Sequence, residues 1–576
     1  MGERFYYFWL RFRWLIVLAG VVLPLVAGFL AGTLGGSSPQ STSVTSTTLA
    51  AKDAEVLAGG ASALAACDGI TETDELFACR INLQPRTPVV LREDASAFLA
   101  DGAWRSFDGS SDVIAADGVP DAALNELVSG FTADLDNDGS VEYVLVTGTE
   151  DGVLRVLSRV PGGGLRDTAP ARGLDRVTRA ALVLPLDANR DGWMDLLVSS
   201  ALLPEEEQEE SATLTRGIYL LVNGGWRSPG AFETVDAVRV GVEGSASTAS
   251  LPVDDIVGGS SVDLDRDGFL DVVLLGRQGK AAVHWGAGSL AAWSSSRATD
   301  LLVPVGATSL TSGDLDVDGR DELLISYDVS LSSAYGTLCT TQLDGRPCTP
   351  YPGLSATGGV AVLRQGDGRS FAPDQERAVV DVARASDVTL TDIDGDGLVD
   401  LLVSREAMNA EGGVVVHRGT PGADGGIAAF VRGEVIGRGA VGRIRAVDLD
   451  ANGALDLVMT GRGEERAQLW KNTYTPVRHV RLAVRGAASL SSVGSTPDAI
   501  GARVTISDLD NKVLTITLGQ GQLTGDLLIP LPLRDGAWSG REAVPTIEVF
   551  FPATGRTRTL SNVATGALVD VVEPGE

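Results

Sequence analysis

Short apolar runs recur along the chain, each directly after an acidic, glycine-bearing stretch: Leu196-Leu197-Val198 after Asp195, Val272-Val273-Leu274-Leu275 after Asp271, Leu401-Leu402-Val403 after Asp400. A continuous apolar run of this length predicts a strand buried on both faces. A further run aligns later in each unit, at Ile218-Tyr219-Leu220-Leu221, Ala281-Ala282-Val283-His284, Val360-Ala361-Val362-Leu363, Val414-Val415-Val416-His417 and Ala467-Gln468-Leu469-Trp470, and Gly-rich turns follow it. Seventy glycines and 44% hydrophobic residues fit an all-β array of tight turns with an ample core. His284 and His417 fall where other units have Leu or Trp, which predicts packing rather than catalysis, and His479 has no recognisable partner.

The acidic stretch before each run has a fixed frame. In Asp392-Ile-Asp394-Gly-Asp396-Gly397-Leu-Val-Asp400, acidic residues stand at positions 1, 3, 5 and 9 with Gly at 6. Several hard oxygens around one point suit Ca²⁺, and the Gly permits the sharp turn. The frame occurs six times. The other members are Asp134, Asp136, Asp138, Glu142; Asp187, Asn189, Asp191, Asp195; Asp263, Asp265, Asp267, Asp271; Asp314, Asp316, Asp318, Glu322; and Asp448, Asp450, Asn452, Asp456. An EF-hand shares positions 1, 3, 5 and 6 but needs a bidentate Glu at position 12 and flanking helices. Here position 12 is Leu145, Val198, Leu274, Ile325, Val403 or Met459, so the loops are expected to join strands.

Loop starts are separated by 53, 76, 51, 78 and 56 residues, a period that suits four strands per unit, as in a propeller blade. One long interval carries the acidic run 205–210, read as a solvated loop, and the other the segment from Cys339 to Cys348. The net charge of −30 largely belongs to the loops: without their 22 carboxylates it is −8. No basic stripe suggests nucleic acid.

Arg4, Arg11 and Arg13 precede an uncharged run over residues 14–34, long enough to span a bilayer as a helix. A cleaved signal peptide shares these features, but the run exceeds a usual h-region and no clean A-x-A site follows. With the arginines retained inside, residues 1–13 are cytoplasmic and everything beyond 34 is extracytoplasmic, periplasmic or extracellular. Residues 35–57 read as a Ser/Thr/Ala-rich stalk. The cysteines pair locally as Cys67 with Cys79, in a tied segment over 58–84, and Cys339 with Cys348, which suggests disulfides in an oxidising compartment. The last hundred residues, 476–576, alternate strands without a metal loop and read as a separate small β domain.

The six loops with their trailing strands resemble the FG-GAP/VCBS repeats of integrin-α-like β-propellers, over about residues 85–475. The tail resembles the ASPIC/UnbV domain of proteins similar to cartilage acidic protein, at Ile500-Gly501-Ala502-Arg503-Val504, Ile547-Glu548-Val549-Phe550-Phe551-Pro552 with Gly555, and Ser561-Asn562-Val563. It departs in the middle, where Gln520-Gly521-Gln522 and Leu527-Leu528-Ile529-Pro530 replace the family's Phe-Gly-Leu-Gly-like motif. The resemblance implies a propeller of seven blades, six being the alternative, stabilised by about six structural Ca²⁺ ions and used for adhesion or for binding a protein or glycan ligand. Strands before Asp134 complete a seventh blade or close the last of six. No nucleophile, acid–base pair or open metal position marks a catalytic centre. An enzyme acting on polysaccharide, or a structural envelope or assembly factor, are the alternative functions.

Overall fold

The computed structural model describes most of residues 127–574, with breaks in several connections, and two short strands before them. The expected anchor, stalk and tied segment, with Cys67 and Cys79, lie outside the described residues, as do Cys348, Asp396, Asp448, Asp450 and Asn452. Among the described residues no helix is long and apolar enough to cross a membrane.

The chain is all-β, its described α-helix being the single turn Leu290–Ser294. Six sheets follow one another, antiparallel but for the parallel edge strand Ala116–Asp117 of the first, with one acidic loop joining the first two strands of each. Their first strands are Leu127–Ala133, Val177–Leu186, Ile256–Val262, Ala307–Gly313, Ala385–Thr391 and Val441–Val447. Their second strands each open on position 9 of the loop: Glu142, Asp195, Asp271, Glu322, Asp400 and Asp456. The aligned runs of the sequence supply the third strands, such as Gln278–His284 and Gly413–Pro421. Trp104–Ser106 is the outer strand of the sixth sheet, antiparallel to Gln468–Asn472. Chain segments separated by more than 360 residues thus share one sheet.

The apolar runs are continuous because each middle strand is covered on both faces. Leu196 and Val198 face a core shared with the first sheet, while Leu197 faces one shared with the third. Val273 and Leu275 face the fourth sheet and Val272 and Leu274 the second. Leu401 and Val403 pack toward the fourth sheet and Leu402 toward the sixth. Period-2 geometry therefore sends alternate apolar residues into alternate cores, one between each pair of consecutive sheets.

First strands also pack side by side from sheet to sheet. Arg443, on the sixth first strand, reaches three others. Its Nη1 donates to Ser309 Oγ and Asp387 Oδ1, each at 3.0 Å, and its Nη2 to the Val128 carbonyl at 3.2 Å. The buried Asp387 carboxylate also accepts the Ile444 N–H at 2.8 Å.

The tail forms two sheets, one of three strands centred on His479–Arg485 and one of four with Arg503–Ser507 beside Ala543–Phe551. Val480, Leu482, Val504, Ile506, Ile547, Val549 and Phe551 close a separate core. It meets the loop-bearing sheets at the loops themselves: Ile500 packs on the cores of the first three sheets, and Arg503 Nη1 donates to the Gly319 carbonyl at 3.2 Å.

Candidate metal centres

The first five loops are folded by their own carboxylates. The position-9 group accepts the N–H of position 2: Leu135 to Glu142 at 3.0 Å, Ala188 to Asp195 at 3.0 Å, Leu264 to Asp271 at 2.8 Å, Leu315 to Glu322 at 2.8 Å and Ile393 to Asp400 at 3.1 Å. Where position 9 is Asp, its second oxygen accepts an N–H from the end of the third strand: Asn223 at 2.8 Å, Gly286 at 2.7 Å, Gly419 at 2.9 Å and Asn472 at 2.6 Å. Gly286 and Gly419 approach so closely that a Cβ would lie 2.4 Å from a backbone oxygen, of Leu270 or Val399.

The turn itself needs two left-handed residues. Gly192, Gly268 and Gly319 at position 6 have φ of 79°, 84° and 84°, and Asn137, Arg190, Arg266 and Val317 at position 4 have φ between 53° and 61°. For the β-branched Val317 this is a strained backbone. Position-5 carboxylates turn back on the chain: Asp191, Asp267 and Asp318 accept the N–H two residues on, at 2.9, 2.9 and 2.7 Å.

Sequence reasoning missed a set of groups that tie each loop to the next sheet. The position-2 carbonyls of Leu135, Leu264 and Ile393 accept from Asn223 Nδ2 at 2.8 Å, Gln365 Nε2 at 2.9 Å and Asn472 Nδ2 at 2.9 Å. Those of Ala188 and Leu315 accept from Trp293 Nε1 at 3.4 Å and the Ile427 N–H at 2.6 Å. The three amides share one register, two residues beyond the aligned third-strand run, which is the signal that marks them.

Positions 1, 3 and 9 converge. In four loops an oxygen from each lies within 4.8 Å of the others: Asp134, Asp136, Glu142; Asp263, Asp265, Asp271; Asp314, Asp316, Glu322; and Asp392, Asp394, Asp400. The second loop has Asn189 at position 3; Asp187 there accepts the Asp191 and Gly192 N–H groups at 3.1 and 3.0 Å. Of the four candidate ligands in the sixth loop, Asp456 is the one described.

The electrostatics of these clusters favour an added positive charge. Burial pushes Asp187, Glu142, Asp271 and Glu322 up to about 8, Asp314 to about 7 and Asp263 to about 6. Neighbouring carboxylates add to the rise, Asp136 at Glu142 and Asp191 at Asp187. Asp136 Oδ1, Asp263 Oδ1 and Glu322 Oε1 are buried without a hydrogen-bond partner. Oxygen-only donors, high negative charge and orphaned buried oxygens fit a hard divalent cation such as Ca²⁺. His284 and His417 are buried in third strands, and burial pushes both down to about 4, which suits packing.

The family model described as FG-GAP-like repeat matches residues 263–325, the span from the first residue of the third loop to the strand after the fourth. No curated protein matches. Among solved structures, the chain is similar to a putative 6-phosphogluconolactonase from Bacteroides uniformis, at 13% identity and a TM-score of 0.35, covering 63% of this chain and 85% of that one. It is also similar to an exotype rhamnogalacturonan lyase, at 12% identity and a TM-score of 0.32, covering 77% of this chain and 74% of that one. Over residues 263–325, then, the chain carries an FG-GAP-like repeat.

Proposed function

We propose that the six sheets are the blades of a Ca²⁺-stabilised β-propeller, six rather than seven, closed by Trp104–Ser106 in the sixth sheet. The observation that carries the metal reading is the recurrence of one carboxylate cluster, with positions 1, 3 and 9 together, at the same turn of the first, third, fourth and fifth units. Residues at these positions would hold the cation, which when bound supplies positive charge that offsets their mutual repulsion. A cation binding at about 10⁻⁴–10⁻³ M and present in tenfold excess stabilises by about 1.4 kcal/mol per site. Six sites give on the order of 8 kcal/mol, comparable with a domain's whole margin of about 5–15.

The propeller is a binding or adhesion module for a protein or glycan, not an enzyme. It is held outside the cytoplasm by the helix over residues 14–34, with disulfides at Cys67–Cys79 and Cys339–Cys348 and an ASPIC/UnbV-like tail. The loop carboxylates are engaged in folding their own turns, which supports a structural rather than a catalytic cation. Crosslinking pull-downs from intact cells should recover a surface partner in calcium and lose it in chelator. Recovery of none would remove the binding function, and polysaccharide turnover dependent on a carboxylate outside the loops would replace it with catalysis.

A further inference from the structure

Four loops share a contact that folding the turn does not require. An arginine from elsewhere sits on one oxygen of the position-3 carboxylate each time. Arg172 Nη2 lies 2.9 Å from Asp136 Oδ2 and Arg364 Nη2 2.6 Å from Asp316 Oδ2. Arg369 holds Asp265 Oδ2 through Nε at 2.7 Å and through Nη2, and Arg418 Nη1 holds Asp394 Oδ2 while its Nη2 pairs with Glu434.

The second loop is the internal control. Its position 3 is neutral, and Asn189 Nδ2 donates to Asp191 Oδ2 at 2.8 Å within the loop. Counting only the frame carboxylates and the direct position-3 pairs, four carboxylates with one guanidinium in loops 1, 3, 4 and 5 and three carboxylates in loop 2 give the same net charge of −3. Arg190 at position 4 of loop 2 is outside this count and engages the Phe269 ring and the Pro552 carbonyl. The sixth loop, with Asn452 at position 5, also carries three carboxylates in sequence.

We propose that Arg172, Arg364, Arg369 and Arg418 are resident counter-ions. They keep an empty loop folded by holding its extra carboxylate, and they lower that loop's affinity for a divalent cation. The inference rests on the cation reading above. A guanidinium stays charged at any physiological pH, so it relieves carboxylate repulsion whenever the cation is absent. A cation arriving at the other oxygens meets a like charge a few ångströms away in a partly buried site, where screening is weak. Each arginine takes one oxygen of the position-3 carboxylate, and Arg172 and Arg369 stand farther, at 3.5 and 3.9 Å, from a second loop carboxylate, Glu142 and Asp267. Asp136 Oδ1 remains unpartnered beside the pair to Arg172, so the arginine tunes binding without blocking it.

The test is Arg364→Gln in the full chain, since Arg364 is 54% exposed while Asp316 is 2% exposed, so the change removes charge rather than packing. Calcium uptake is followed by titration calorimetry and thermal unfolding by circular dichroism, in chelator and in saturating calcium. The variant should contain a site that binds about tenfold more tightly than its wild-type counterpart, and should unfold several degrees lower than wild type in chelator but at nearly the same temperature in calcium. Arg364→Lys should restore wild-type behaviour. Asn189→Asp, which adds a fourth carboxylate where no arginine waits, should show the same pair of effects as Arg364→Gln. Weaker calcium binding in Arg364→Gln would overturn the proposal, because the arginine would then serve the loaded loop. Unchanged unfolding in chelator would overturn it too. Wild-type chain that takes up no calcium removes the preceding reading as well, whereas normal uptake with an unaltered Arg364→Gln variant removes this one alone.

Discussion

The second and third loops share the nine-residue frame, a left-handed arginine at position 4 and the same staple at position 9, yet they reach balance differently. The second loop omits a carboxylate at Asn189; the third keeps Asp265 and answers it with Arg369, which arrives from the neighbouring sheet 104 residues away. The tail shows the other extreme, with no nine-residue acidic frame in its sequence and a core of Val, Leu, Ile, Ala and Phe. Cation-dependent stability should therefore be confined to the turns of the six sheets. The stability of the loops without a cation should depend more on position 9 than on position 5.

The largest effect expected is that of chelation. Stripping calcium should lower the unfolding temperature by roughly 10–20 °C. A separate transition for the tail that stays in place would sharpen the contrast between the two regions; a joint shift would show that the tail depends on the loops it rests on.

Next comes position 9 against position 5, measured in chelator so that cation binding does not contribute. Asp271→Ala leaves the buried N–H groups of Leu264 and Gly286 without an acceptor, at about 1–3 kcal/mol each. Asp267→Ala removes an exposed turn bond to Phe269 and a long, exposed pair with Arg369, and should cost about 1 kcal/mol or less. Equal losses would break the distinction.

A smaller, graded effect is expected from pH. The folded-state values of Asp187, Glu142, Asp271 and Glu322 stand at about 8, well above the ordinary carboxylate range near 4. Proton binding therefore favours the folded chain. That contribution is fully present below about pH 4 and is lost as pH rises through about 8. In chelator the unfolding temperature should fall between pH 5 and 8.5, and calcium should flatten the slope by taking the protons' place. A rise over that range would contradict it. The smallest effect, about 1 kcal/mol or less, is expected of Arg503→Ala, which removes one tail-to-loop hydrogen bond at the Gly319 carbonyl.

The loop-and-strand unit was legible in the sequence for the described loops, because each middle strand is buried on both faces and so is apolar at consecutive residues such as Leu401 to Val403. The convergence of positions 1, 3 and 9 was legible from spacing, since the frame is local. The second role of position 5 was not: beside the donor oxygens that mark Asp267 and Asp318 by type, each also accepts the turn N–H of Phe269 or Arg320. The arginines were hidden for a topological reason. Arg418 lies 24 residues beyond Asp394 on the third strand of its own sheet, Arg172 lies 36 beyond Asp136, and Arg369 crosses from the next sheet, so no fixed offset marks them. Closure of the sixth sheet by Trp104–Ser106 left open six units or seven, because a three-residue outer strand carries no motif of its own.

The most direct test of the account is a count of calcium bound per chain, by equilibrium dialysis and elemental analysis, on the wild type and on Asp263→Asn, Asp314→Asn and Asp392→Asn. The account predicts about six ions on the wild type and one fewer for each variant. A chain that binds none, or one whose count ignores these substitutions, would contradict it and leave the acidic loops as turns held by their own backbone.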